Sequence, residues 1–137
     1  MIGQVLVHVE TSLLGLKRFV CSWTADSTGV AEIDFDGHSA LLIEGDPVRL
    51  VTVPSLSSPP TANYDIKLFT RNDFDILSDA GDDRSASEIE TAGVRNILAG
   101  DVRFAPNQAL ARLRLLIKNA GSGGSGVVVL QVLPQCL

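Results

Sequence analysis

The sequence predicts an all-β domain, an antiparallel β-sandwich or jelly roll of about eight to nine strands. Two observations lead there. Apolar and polar residues alternate in short runs along the whole chain, as in Tyr64-Asp65-Ile66-Lys67-Leu68 and Leu113-Arg114-Leu115-Leu116-Ile117-Lys118. A period of two puts one set of side chains in a core and the other in water. Gly, Pro, Asn and Asp punctuate these runs where strands would turn. The 137 residues fit a single domain, 1–137. A chain of that size buries roughly 68% of the surface its unfolded form exposes, enough for a core without staples.

Strands are expected at 3–9, 16–25, 30–36, 39–43, 48–53, 63–70, 94–98, 110–118 and 126–133. The first run begins at Met1-Ile2-Gly3-Gln4-Val5, with neither the basic stretch nor the cleavage site of a signal peptide. In the second, Phe19, Cys21 and Trp23 share one face, and in the third Ile33 and Phe35 alternate with Glu32, Asp34 and Asp36. Asp36-Gly37 marks a hairpin turn, and Gly45-Asp46-Pro47 marks another in which Pro47 opens the next strand. The Pro/Ser-rich segment from Pro54 to Thr61 is an extended loop, and the stretch from Asp79 to Glu88 is an acidic one. Helix is confined to a turn around Ser85–Thr91, where Ser85-Ala86-Ser87-Glu88 resembles a capping box. Gly121-Ser122-Gly123-Gly124-Ser125-Gly126 has the composition of a flexible linker but lies between two strand patterns, so it reads as a long hairpin loop within one domain. The last strand, from Val127 to Leu133, is apolar on both faces, as in part is Leu50-Val51-Thr52-Val53. Such a strand is either central and covered, or part of an interface. Lying near the chain end, it reads as an edge strand that needs a partner. This predicts a homodimer across a two-fold axis through Val127, Val129 and Leu133.

Composition excludes several function classes. The net charge of −5 argues against nucleic acid, whose phosphates need clustered Lys and Arg. The chain is 45% hydrophobic, too apolar for disorder, yet no apolar stretch approaches the ~20 residues that span a bilayer. Cys21 and Cys136 form no metal or redox spacing. Cys21 falls in a strand as a small hydrophobe, and Cys136 is too near the end for prenylation, which together predict a reducing cytosol during assembly. His8 and His38 have no motif around them, no Gly-x-Ser-x-Gly elbow follows a strand, and the Gly/Ser loop lacks the Lys and helix of a phosphate cradle. No enzyme and no cofactor are therefore expected. Asp73, Asp75, Asp79, Asp82 and Asp83 could ligate calcium, but their spacing is not that of an EF-hand, and they read as turn formers with no metal. Arg112, Arg114 and Lys118 read as a solvated face, with a small basic patch for an acidic partner as the functional alternative. Trp23, Tyr64, Phe19, Phe35, Phe69, Phe74 and Phe104 read mostly as core and offer no stacking platform.

Four stretches carry a resemblance. They are Pro59-Pro60-Thr61-Ala62-Asn63-Tyr64-Asp65-Ile66-Lys67-Leu68, Asn72-Asp73-Phe74-Asp75-Ile76-Leu77, Gly81-Asp82-Asp83-Arg84-Ser85, and the later run from Lys118-Asn119-Ala120-Gly121 to Val127. Together they resemble small virion proteins of tailed bacteriophages. In size and strand order the chain is similar to the jelly-roll cement, or decoration, protein on the capsids of short-tailed phages. The resemblance covers roughly residues 48–133 and departs at Asp73-Phe74-Asp75, where the pattern favours a Gly before the second Asp. It implies a structural protein on the outer capsid surface of the virion that cements adjacent subunits of the major capsid protein. It implies no catalytic residues. A receptor- or glycan-binding module of a phage tail or fibre is the alternative. Since binding concentrates on loops held by a rigid scaffold, capsid contacts are expected from residues 1–12, 54–62 and 78–93. The candidate residues are Pro59, Pro60, Asp79, Asp82, Asp83 and Glu88.

Overall fold

The period-two runs become eight strands: β1 (Gln4–Thr11), β2 (Lys17–Thr24), β3 (Ala31–Asp34), β4 (Asp46–Pro54), β5 (Asp65–Phe69), β6 (Glu90–Gly93), β7 (Arg114–Lys118) and β8 (Ser125–Leu133). The structure, a computed structural model, describes residues 3–11, 17–35, 46–69, 73, 75–77, 79–93 and 113–133. Every regular element of more than one residue among them is a strand, so no helix there is long and apolar enough to cross a membrane. The expected strands at 39–43 and 94–98 and the Asp36-Gly37 turn lie outside the described residues, as do His38, Asn72, Phe74, Phe104, Arg112 and Cys136.

The strands form two antiparallel sheets, one in the order β1-β2-β8-β4-β6 and one in the order β3-β7-β5. After the β1–β2 pair, every connection from β2 to β8 changes sheet. The pairing is nested. β2 pairs with β8, β3 with β7 and β4 with β6, and an isolated bridge joins Phe69, at the end of β5, to Asp75. Each pair lies within the sequence span of the one before. The described strands from β2 to β8 thus pair as a long antiparallel ribbon would, folded over so that β8 also meets β4 and β7 also meets β5.

Alternation decides what the sheets bury. Phe19, Cys21 and Trp23 of β2, Leu50 and Thr52 of β4 and Val128, Leu130 and Val132 of β8 point inward from the larger sheet. Ala31, Ile66, Leu68, Leu115 and Ile117 meet them from the smaller one, with Phe35 and Leu113 beside them. Trp23 and Tyr64 join the layers, their rings 5.6 Å apart at 44°. Buried Thr52 stays satisfied because its hydroxyl donates to the Glu90 carbonyl at 3.4 Å. Burial pushes the Cys21 thiol up to about 12, which leaves it without the thiolate that makes cysteines reactive.

Three sequence expectations change. The strand at 125–133 is not an edge: β8 is paired along its length with β2 on one side and β4 on the other. Its second apolar face exists because Val129 sits in a row between Val20 and Val51 on the outer surface of the larger sheet, where it is buried. Val127 is half-buried in the next row, while the Leu133 side chain lies outside the described residues. The 121–126 segment is not a hairpin loop but a corner between sheets, since β7 and β8 belong to different ones. The expected helical turn forms its cap but no helix. Ser85 Oγ accepts from the amides of Ser87 (3.1 Å) and Glu88 (3.0 Å), and the chain then enters β6. The Ser85 amide is taken by Glu90 at 2.5 Å and not by Glu88, so the carboxylate that closes the turn is already in the strand.

Leu130, fully buried on the central strand, reports on the core. Leu130→Ala is expected to lower unfolding free energy by about 2–5 kcal/mol in urea titration. Val129→Asp is expected to destabilise the fold as well, because it sets a charge in a covered row between two valines.

Candidate functional site

One end of the sandwich collects four of the described loop segments. The residue pairs Thr24–Ser125, Pro54–Gly126 and Asp65–Lys118 bring the 25–30, 55–64 and 119–124 segments to that end. The 82–89 segment joins them through bonds of Asp83 and Arg84 to Asp65 and Tyr64. Each segment is built for rigidity. Asp26 Oδ1 accepts from the Thr28 hydroxyl (2.6 Å) and from the amides of Thr28 (2.8 Å) and Val30 (3.1 Å), a turn that holds its carboxyl below the ordinary carboxylate range. The linker-like Gly/Ser run is locked by its neighbours. The Thr61 amide donates to the Ala120 carbonyl, the Ala120 amide to Gly29, the Ala25 amide to Gly124 and the Ser125 amide to Ser58, at 2.8–3.0 Å. Gly121 has φ +77° and lies so close to Thr61 that a Cβ would meet its hydroxyl at 2.2 Å, so this glycine serves a close approach and not flexibility.

The 75–85 segment is clamped along the outer edge of β5. The Ile66 amide donates to the Gly81 carbonyl (2.8 Å), the Ile76 amide to Leu68 (2.9 Å) and the Arg84 amide to Tyr64 (2.7 Å). Gly81 is needed because a Cβ there would lie 2.3 Å from the Ile66 carbonyl. Asp75 organises the turn, accepting from the amides of Leu68, Leu77 and Asp79 at 3.0–3.2 Å. Asp65 ties three parts together by accepting from the Asp83 amide (3.0 Å) and the Asn119 side chain (2.7 Å). Arg84 is buried, donating to the Ala80 carbonyl at 2.9 Å and facing Glu90 at 3.9 Å.

The acidic run converges on a lysine. Lys67 Nζ lies 2.8 Å from both Asp79 and Asp82 and 3.6 Å from Asp75. Desolvation opposes its charge, but the hydrogen bonds and charges of these carboxylates outweigh that and raise its pKa well above the ordinary lysine value. The same hydrogen bond holds the Asp79 carboxyl below its ordinary value. Among the described residues no group of three His, Cys, Asp or Glu is arranged to hold a metal.

The candidates nominated from sequence therefore separate. Asp79 and Asp82 pair with Lys67, Asp79 with its side chain still exposed and Asp82 half-buried, whereas Asp83 and Glu88 are exposed with no such pair among the described residues. Pro60 is buried against Gly124, and Pro59 is exposed. Leu56 (93% exposed) and Ile89 (67%) stand out on the same two loops. Sequence reasoning passed over both, because a single apolar residue in a polar loop carries no periodic signal. It also missed Lys67, which read as the polar member of an alternating strand. Elsewhere, His8 is exposed on β1 beside Glu10 at 3.3 Å, with Cys21 on the opposite face of the sheet. Arg114 lies over the Phe69 ring at 4.9 Å and pairs with Asp73 at 3.3 Å and Glu32 at 4.0 Å, so it is engaged within the domain. Trp23 and Tyr64 are buried and offer no surface for a sugar or base. No family model matches the chain, and no curated protein matches it.

Lys67→Met is expected to destabilise the domain by on the order of 2 kcal/mol, between the values for exposed and buried ion pairs. The depressed Asp79 pKa stabilises the wild type above the unfolded carboxylate range, and this is lost as pH falls through the folded value. The raised Lys67 pKa stabilises below the unfolded lysine range and is lost on the alkaline side. Denaturation at several pH values should show the gap between wild type and variant widest between about pH 5 and 10, and narrower at both extremes.

Proposed function

We propose that this protein is a structural, non-enzymatic component of a bacteriophage virion, a jelly-roll cement protein that docks on the outside of the capsid and bridges subunits of the major capsid protein. The nested pairing of β2 through β8 supports the jelly-roll reading, because rolling one long hairpin onto itself generates that order of strands. The residues that carry the resemblance to phage decoration proteins meet in one place: Tyr64, Asp65, Lys67, Asp75, Gly81, Arg84 and Asn119 together clamp the 75–85 segment and join it to the 119–124 corner.

The observation that carries the reading is the composition of this loop end. Leu56 and Ile89, exposed and apolar, stand with Pro59, Asp83 and Glu88 on loops that the hydrogen-bond network holds rigid. Apolar anchors with a charged rim, presented without ordering cost, suit a docking surface. A partner that binds only the assembled shell stabilises it by mass action, and repetition over a symmetric lattice multiplies weak contacts.

The test is mass spectrometry of purified virions from the source host, followed by rebinding of the purified protein to stripped particles. Copies in fixed proportion to the major capsid protein are expected, and their absence from particles would sink the reading. Asp83 has φ +54°, which asparagine also tolerates, so Asp83→Asn with Glu88→Gln removes charge without backbone strain. This double variant is expected to fold normally, rebind more weakly and lose salt dependence. Leu56→Ser with Ile89→Ser is expected to reduce rebinding at every salt concentration.

A further inference from the structure

Among the described residues four strands end the two sheets, and three of them are short or covered. β3 and β6 have four residues each. The edge of β5 is occupied by the 75–85 segment through Gly81, Ile76 and Asp75. β1 differs. It is eight residues long, Gln4-Val5-Leu6-Val7-His8-Val9-Glu10-Thr11, and its register with β2 runs without a shift from Gln4↔Thr24 to Thr11↔Lys17. Natural edge strands are guarded by proline, charged side chains (lysine above all), a bulge, a covering segment or brevity; β1 has no proline, lysine or bulge, and its one carboxylate, Glu10, lies next to its end. Among the described residues no strand pairs with its other side. Leu6 is 69% exposed and Val9 39%, so two of the four exposed large hydrophobic residues among those described lie on this one strand. The strand is nonetheless held in place at its start, where a Cβ on Gly3 would lie 2.2 Å from the Val30 carbonyl.

We propose that β1 pairs antiparallel with β1 of a second copy about a two-fold axis at Val7, joining two five-stranded sheets into one continuous sheet. The strand is complementary to itself in that register. Pairing must keep each side chain on its own face, so Val7 meets Val7, Leu6 meets His8, Val5 meets Val9 and Gln4 meets Glu10. Every exposed apolar residue of the strand gains a neighbour, and Glu10 meets an amide and not its own copy. Centring on His8 instead sets Leu6 against Glu10 and histidine against histidine. Centring on Leu6 sets Val9 against Gly3. The self-complementary register favours a second copy over a foreign strand. It also moves self-association from β8, which is fully paired, to a strand whose other side has no partner among the described residues. The axis is perpendicular to the sheet, so the loop ends of the two copies point in opposite directions. The inference does not rest on the capsid reading and is tested on the free protein.

Light scattering and sedimentation of the purified chain are expected to give twice the 14.5 kDa protomer mass. Leu6→Lys with His8→Lys changes two exposed outward positions and sets like charges opposite each other at both crossings. This variant is expected to be monomeric with an unchanged circular dichroism spectrum. The register is read by cross-linking in a Cys136→Ser background, where Cys21 is buried. Val7→Cys is expected to form an interchain disulfide on mild oxidation, since directly opposed strand residues fall within bridging distance. At the exposed positions, Leu6→Cys is expected to cross-link with His8→Cys in a mixture but not with itself. A wild-type monomer at all concentrations, a dimer that survives the double lysine substitution, or a dimer in which Leu6→Cys and His8→Cys fail to cross-link would each overturn the proposal.

Discussion

The position of β8 at the centre of the larger sheet is the constraint on which the rest of the structure depends. It pairs through eight positions with β2 and through a similar length with β4. Its inward residues, Val128, Leu130 and Val132, therefore lie at the middle of the core. A strand in that position needs an apolar inner face for the opposing sheet and an outer face compatible with valines on both neighbours. Val20, Val129 and Val51 form that outer row. The two-sided apolar character of β8 follows from its place in the sheet, and the nested ribbon leaves no other place for the strand that pairs with β2.

The two outer surfaces of the sandwich differ in chemistry. The smaller sheet presents Glu32 and Asp34 from β3, Arg114 and Lys118 from β7, and Asp65 and Lys67 from β5, with opposite charges on neighbouring strands. The larger sheet presents a patch of Val20, Val51, Val53 and Val127 around buried Val129, bounded by a polar row of Glu10, Arg18, Gln131 and Arg49, with Leu6 and His8 on β1. An ionic face is satisfied by water and by its own pairs. The valine patch, with Leu6 beside it, is the part of this face where association would remove apolar surface from water.

Charge in the 75–85 segment is used mainly for internal order. Three carboxylates gather on one ammonium, and a fourth, Asp65, accepts bonds from two other loops. All five non-glycine residues with positive φ among the described residues are Asn or Asp, and all sit in turns of this kind. Lys67 offsets only one of the three charges gathered on it, so the segment stays acidic with the Asp79 side chain exposed, and Asp83 and Glu88 add two exposed carboxylates at the loop end. What distinguishes the loop end as a surface is the combination of those two carboxylates with Leu56 and Ile89.

The sequence by itself determined the local answers. Period-two alternation placed seven of the eight strands to within a few residues and assigned the inward faces of β2, β3, β5 and β7, because a side chain's face depends only on its parity along a strand. β6 was not placed, since Glu90-Thr91-Ala92-Gly93 has the composition of the acidic loop and a serine cap before it, and only pairing with β4 makes it a strand. Tertiary structure alone decided which strand is central, which described strand ends the larger sheet and which charges are paired. Each of these depends on residues distant in sequence. β8 is covered because β2 and β4 flank it, Lys67 pairs with Asp79 and Asp82 because the loop folds back along β5, and the glycine-rich run is rigid because Thr61 and Gly29 close over it. Alternation records which way a side chain points, whereas its neighbours are fixed only when the ribbon folds onto itself.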